Sequence, residues 1–109
     1  MLNRFEKQPS EKIMIWASAV NNMSSTEKLV LGSCSVSAVD EDGTDVTSTL
    51  VDQSTLQLGD HPDKGGTNNI LGVMVRNGES GKRYKVTFQL ATDLGQVFEV
   101  DVVVYVKDH

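Results

Sequence analysis

A few stretches of this 109-residue chain hold residues able to do chemistry. Asp40, Asp42 and Asp45 stand in an Asp-x-Asp-Gly-x-Asp spacing that could offer oxygen ligands to calcium. A helix–loop–helix calcium site also needs a terminal glutamate and flanking helices. Neither is evident in the sequence, so the stretch reads as an acidic turn. His61 lies near Asp60 and Asp63, a grouping that could serve a metal or a general base. The other histidine, however, is the terminal His109. Serine, histidine and aspartate are all present, but nothing orients them and there is no Gly-x-Ser-x-Gly elbow. Cys34 has no second cysteine to pair with. In a strand-like run it reads as a small buried hydrophobe rather than a nucleophile. The expectation is a protein that is not an enzyme and takes no metal or cofactor.

Charge and composition narrow the partners. The formal charge is −5 and the acidic residues are spread along the chain. The densest basic spot is the pair Lys82-Arg83, too small for a phosphate-binding surface, so no nucleic acid is expected. Residues 1–7 lack the apolar core of a secretion signal. No apolar run approaches the ~20 residues of a membrane helix. The reading is a soluble protein with no membrane partner, retained without export by that route. An unpartnered cysteine suits a reducing cytoplasm.

The elements that must position any site are strands. Tyr84, Val86, Phe88 and Leu90 alternate with polar residues, as do Phe98, Val100, Val102, Val104 and Val106. A period of two, rich in β-branched and aromatic residues, marks two half-buried strands. Thr92–Gln96 joins them, and Gly95 there can take φ > 0. The pair is an antiparallel hairpin organised from Gly81 to Val106. Residues 2–7 form a weakly patterned first strand ended by Pro9. Lys12–Ser18 alternates well, with Ile13, Ile15 and Ala17 on one face and Met14 and Trp16 on the other. Ala19–Glu27 is loop-like. Lys28–Val39 reads as one long strand whose parity switches at Gly32-Ser33, predicting a β-bulge. Asp40–Gly43 is a turn. Thr44–Val51 and Ser54–Leu58 are short strands with Val46, Leu50, Leu56 and Leu58 inward. Gly59–Asn69 is an exposed polar loop, Ile70–Arg76 a strand covered on both faces or lying centrally in its sheet, and Asn77–Gly81 a turn.

Seven or so short strands between turn signals predict an all-β, immunoglobulin-like antiparallel β-sandwich, one domain over residues 1–109. The segment Gly81-Lys82-Arg83-Tyr84 suits a tyrosine corner, with the Tyr84 hydroxyl bonding back to backbone just upstream.

A resemblance adds to this reading. Phe5-x-Lys7-x-Pro9 leads into the Ile13–Trp16 strand, and the Asp-Gly turn continues as Thr44-Asp45-Val46-Thr47. Gly81, Tyr84, Val86 and Thr87 follow, then Ala91-Thr92-Asp93-Leu94-Gly95 and Phe98–Val102. Over nearly the whole chain this resembles the small tail-associated structural proteins of bacteriophages and prophages described as fibre–tail adaptor-like. The Gly59–Asn69 loop departs from that pattern, being longer and more polar. The resemblance implies a non-enzymatic adaptor in the virion, assembled in the bacterial cytoplasm. Its partners would be other tail or head–tail proteins or further copies of itself. The alternative is a carbohydrate- or protein-binding module, for which Trp16, Tyr105 and Phe5 are the spare aromatics. Three residues stand out as a candidate interface. Trp16 belongs to the type enriched at interface hot spots. Val103 and Tyr105 make the last strand apolar on both sides, so either the first strand or another protein must cover it.

Overall fold

A computed structural model describes residues 3–19, 22–24, 26–61 and 67–107. Leu2, Asn21, Ser25, residues 62–66 with Asp63, and His109 lie outside these. The strands are β1 (Asn3–Lys7), β2 (Ile13–Ser18), β3 (Ser35–Val39), β4 (Val51–Gly59), β5 (Ile70–Val75), β6 (Arg83–Ala91) and β7 (Val97–Val106). A helical turn, α1, covers Thr47–Leu50. The strands form a four-stranded sheet in the order β1-β7-β6-β3 and a three-stranded sheet in the order β2-β5-β4. Sheets of strands 3, 6, 7 and of 2, 5, 4 correspond to the two layers of a constant-type immunoglobulin sandwich, with the first strand moved beside the last.

The hairpin forms as its pattern dictates. Arg83 pairs with Tyr105 and the ladder runs without a break to Ala91 opposite Val97. Gly95 takes φ 83° in the Thr92–Gln96 loop. Val86, Phe88, Leu90, Val102, Val104 and Val106 are wholly buried against Ile15, Ala17, Val73 and Val75 of the other sheet. Burying each such side chain is worth about 1.5–3 kcal/mol, which makes this interface the main source of stability. Phe98 and Val100 were expected in the same core and are only half-buried. β1 reaches no further along β7 than Val102, so among the described residues Val97–Asp101 is flanked on the β6 side alone.

The tyrosine corner is present. Tyr84 is buried, and its hydroxyl accepts the Glu79 N–H at 2.9 Å. β5 is central in its sheet, and Leu71, Val73 and Val75 have no exposure.

Other expectations are corrected. The sandwich is antiparallel except for β1, which runs parallel to β7 from Asn3–Val102 to Lys7–Val106. β3 and β7 both run opposite to β6, and β1 beside β7 shares their direction. The inward position at the end of β1 is held by Lys7, only 2% exposed. Its stem is buried while Nζ donates to the carbonyls of Gln8 and Pro9 at 2.7 and 3.3 Å. Desolvation pushes the Lys7 ammonium pKa down, against the opposing pull of Glu11.

The Lys28–Val39 strand is not continuous, and its parity switch is no bulge. Leu29 makes an isolated bridge to Thr92, a 3-10 turn covers Leu31–Ser33, and β3 starts at Ser35. Thr44–Val51 is not a strand either. Asp45 Oδ1 accepts both the N–H and the hydroxyl of Thr47, at 2.9 and 2.6 Å, which turns the chain into α1. β4 carries an irregularity between Asp52 and Gln57, where Thr55 Oγ1 accepts the Met74 N–H in place of a ladder carbonyl.

Candidate functional site

The acidic and nucleophilic candidates turn out to be occupied in holding the chain. Asp40 Oδ1 accepts the N–H groups of Asp42 and Thr44, both at 2.9 Å, and so builds the turn after β3. Asp45 is taken up by Thr47, whose hydroxyl and N–H hold the Asp45 carboxyl below its ordinary pKa. Among the described residues no group of three or more His, Cys, Asp or Glu could hold a metal ion. Cys34 is buried, with its sulfur 3.4 Å from the Ala91 N–H it accepts. At the neck of the Gly59–Asn69 loop, the His61 N–H donates to Oδ1 of the buried Asn69, and Asp60 Oδ1 accepts the Asn68 N–H.

The candidate interface residues do not form one surface. Val103 and Tyr105 lie on the outer face of the four-stranded sheet, both half-buried. The Arg83 guanidinium sits 5.4 Å from the centre of the Tyr105 ring. Val103 lines a shallow depression with Asp40, Glu41, Arg83 and Lys85. The distal half of β7 is not an edge, because β1 covers it. Trp16 belongs to β2, in the opposite layer.

The β2–β3, β4–β5 and β6–β7 connections meet at one end of the sandwich, where Leu29 donates to Asn68 O and bridges to Thr92. This end carries an apolar group that the strand pattern alone did not single out. Val30 and Leu31 are 41% and 40% exposed, Leu94 and Val97 65% and 64%. Val30 donates its N–H to Ala91 O at 2.8 Å, and Ala91 pairs with Val97, so Val30 and Val97 flank Ala91 across three neighbouring chain segments. The sequence signal was there. Leu94 is apolar within a turn, and Val97 is apolar on the parity where Glu99 and Asp101 are charged.

Long-range bonds tie the described parts of these connections to one another. Lys28 and Asp93 exchange two, Lys28 N–H to Asp93 Oδ1 and Asp93 N–H to Lys28 O. Leu29 donates to Asn68 O at 2.8 Å, tying in the third loop. Glu27 is 4% exposed, and its carboxylate accepts the Ser24 N–H and the Gln96 amide. The Thr92 hydroxyl, foremost, and then the Ser24 and Gln96 donors hold the Glu27 carboxyl below its ordinary pKa, against the opposing effect of burial.

On the other layer, the same end holds a cleft of about 750 Å³ lined by Trp16, Ala17, Ser18, Gly59, Asp60, His61 and Ile70. Trp16 pairs in register with Gly72 of β5. A Cβ on Gly72 would lie 2.5, 2.6 and 2.7 Å from three atoms of the six-membered ring, so the ring rests face-down on the Gly72 backbone. Only a glycine allows that approach. Gly59 flanks the ring as well, its hypothetical Cβ 3.0 Å from Cζ3. Comparison with family models, with curated proteins and with solved structures finds no match to this chain.

Proposed function

We propose that this chain is a non-enzymatic structural module that joins protein components of a larger assembly, of the kind found in phage tails and head–tail connections. The observation that carries the reading is the loop end of the four-stranded sheet. Val30, Leu31, Leu94 and Val97 are exposed there on segments that long-range hydrogen bonds hold in place. Exposed apolar residues grouped on preformed loops are the usual ground plan of a protein docking surface, because little ordering cost remains at binding. The resemblance of the Phe5–Trp16, Thr44–Thr47 and Gly81–Val102 segments to fibre–tail adaptor-like proteins supports the same class.

The test is made in the producing bacterium after induction of its phage particles. Purified particles should contain the chain. A photo-crosslinking residue at Leu94 should join it to a virion structural protein or to a second copy. Leu94→Glu with Val97→Glu should leave the melting temperature unchanged and lower incorporation at least tenfold. Particles that lack the chain, or that incorporate the double variant normally, overturn the proposal.

A further inference from the structure

We infer that the Trp16 cleft is a binding site for a neutral saccharide, with one pyranose ring stacked on the exposed face of the indole. This goes beyond the assembly reading and does not depend on it, because the cleft and the apolar loop surface lie on opposite layers. One face of the Trp16 ring is laid against Gly72, and the residue is nonetheless 37% exposed. The open face is therefore the one turned to solvent. An aromatic face carries the negative part of its quadrupole. It attracts a ligand surface made of weakly positive C–H groups that is flat enough to match the ring, and one face of a pyranose provides this.

The rim supplies the second half of the recognition. Ser18, Asp60 and His61 border the same cleft. Asp60 is exposed and uses Oδ1 for the Asn68 N–H, and a carboxylate accepts from up to four directions. Its remaining acceptor capacity suits sugar hydroxyls, while its charge, within a chain of net −5, disfavours anionic ligands. The cleft volume of about 750 Å³ falls in the range of small-ligand pockets, ~300–1,000 Å³. A quaternary ammonium would also favour an aromatic face beside a carboxylate, but such cations are held by cages of several rings. Among the described residues Trp16 is the only Phe, Tyr or Trp lining this cleft, so it offers no such cage.

Trp16 is the only tryptophan of the chain, so intrinsic fluorescence reports on this cleft alone. The full chain is titrated with maltotetraose, cellotetraose, mannotetraose, chitotetraose and a β-galactotetraose, and separately with choline chloride. A single stacked ring in an open cleft implies a millimolar constant, about −4 kcal/mol. At least one saccharide should give a saturable change, confirmed by saturation-transfer NMR on the sugar protons. The NMR signal should vanish in Trp16→Ala. In Asp60→Asn the affinity should fall at least about fivefold, with the melting temperature preserved. The second variant keeps the test decisive if the first fails to fold. No response to any of the five saccharides overturns the inference. So does unchanged binding in Asp60→Asn, saccharide binding retained in Trp16→Ala, or a response to choline alone.

Discussion

Both carboxylate oxygens of Glu27 lie within hydrogen-bond reach of Gln96 Nε2, at 3.1 and 2.9 Å, joining the β2–β3 connection to the β6–β7 loop. Two loops far apart in sequence are thereby locked as one end of the sandwich. The carboxylate form makes this lock, so the lock is sensitive to acid.

The sign follows from linkage. A carboxyl whose folded pKa lies below its unfolded value contributes stability at higher pH and loses it as pH falls through the folded pKa. For Glu27 the ordinary value is 4.5 and the folded one lies below it. Wild type should therefore be more stable than Glu27→Gln at pH 7, and the difference should narrow as the pH falls below the ordinary carboxyl value of 4.5. Asp45 and Asp52, also held low by Thr47 and Ser54, leave the variant a residual acid sensitivity. Thermal melts of both proteins between pH 7 and 3 check this, and a pH-independent difference would contradict it.

Val102 has no exposure and sits opposite Val86 in the middle of the hairpin. Val102→Asp places an unpaired carboxylate in an apolar interior, at a cost of more than about 4 kcal/mol. The variant should be largely unfolded at 25 °C by circular dichroism. A cooperative melt matching wild type would refute the hairpin as the centre of the core.

Tyr84→Phe removes only the hydroxyl that accepts the Glu79 N–H. Because Glu79 is itself exposed, water can replace part of that bond. The expected loss is about 1 kcal/mol, read as a lower urea midpoint at unchanged slope. Tyr84→Ala also empties the ring position and should cost about 3 kcal/mol or more.

Gly72→Ala tests the seat of the tryptophan. The added Cβ would fall 2.5 Å from Cε3, so the indole must lift from the sheet. The fluorescence maximum should shift to the red as the ring enters water, and stability should drop by about 1–3 kcal/mol. An unshifted spectrum would mean that the ring is not held on Gly72.

Local periodicity determined most of the secondary structure. The alternation of Tyr84–Leu90 and Phe98–Val106, the loop at Gly95, the tyrosine at the start of β6 and the doubly apolar Ile70–Val75 all appear where the residues placed them. These features are legible because a strand with one wet face must alternate, and a turn with positive φ favours glycine. Thr44–Leu50 misled because β-branched residues suit strands by propensity, whereas one side-chain acceptor, Asp45, decides for a helical turn. Strand partners lay beyond the reach of the pattern. Which segment covers the end of β7, and in which direction, depends on the order of strands across both sheets. The candidate surfaces belong to this second class. Trp16 meets Gly72, and Val30 approaches Val97, only through pairings between distant segments. Each residue alone is an ordinary strand or loop residue, and its exposed face is created by the packing of the others.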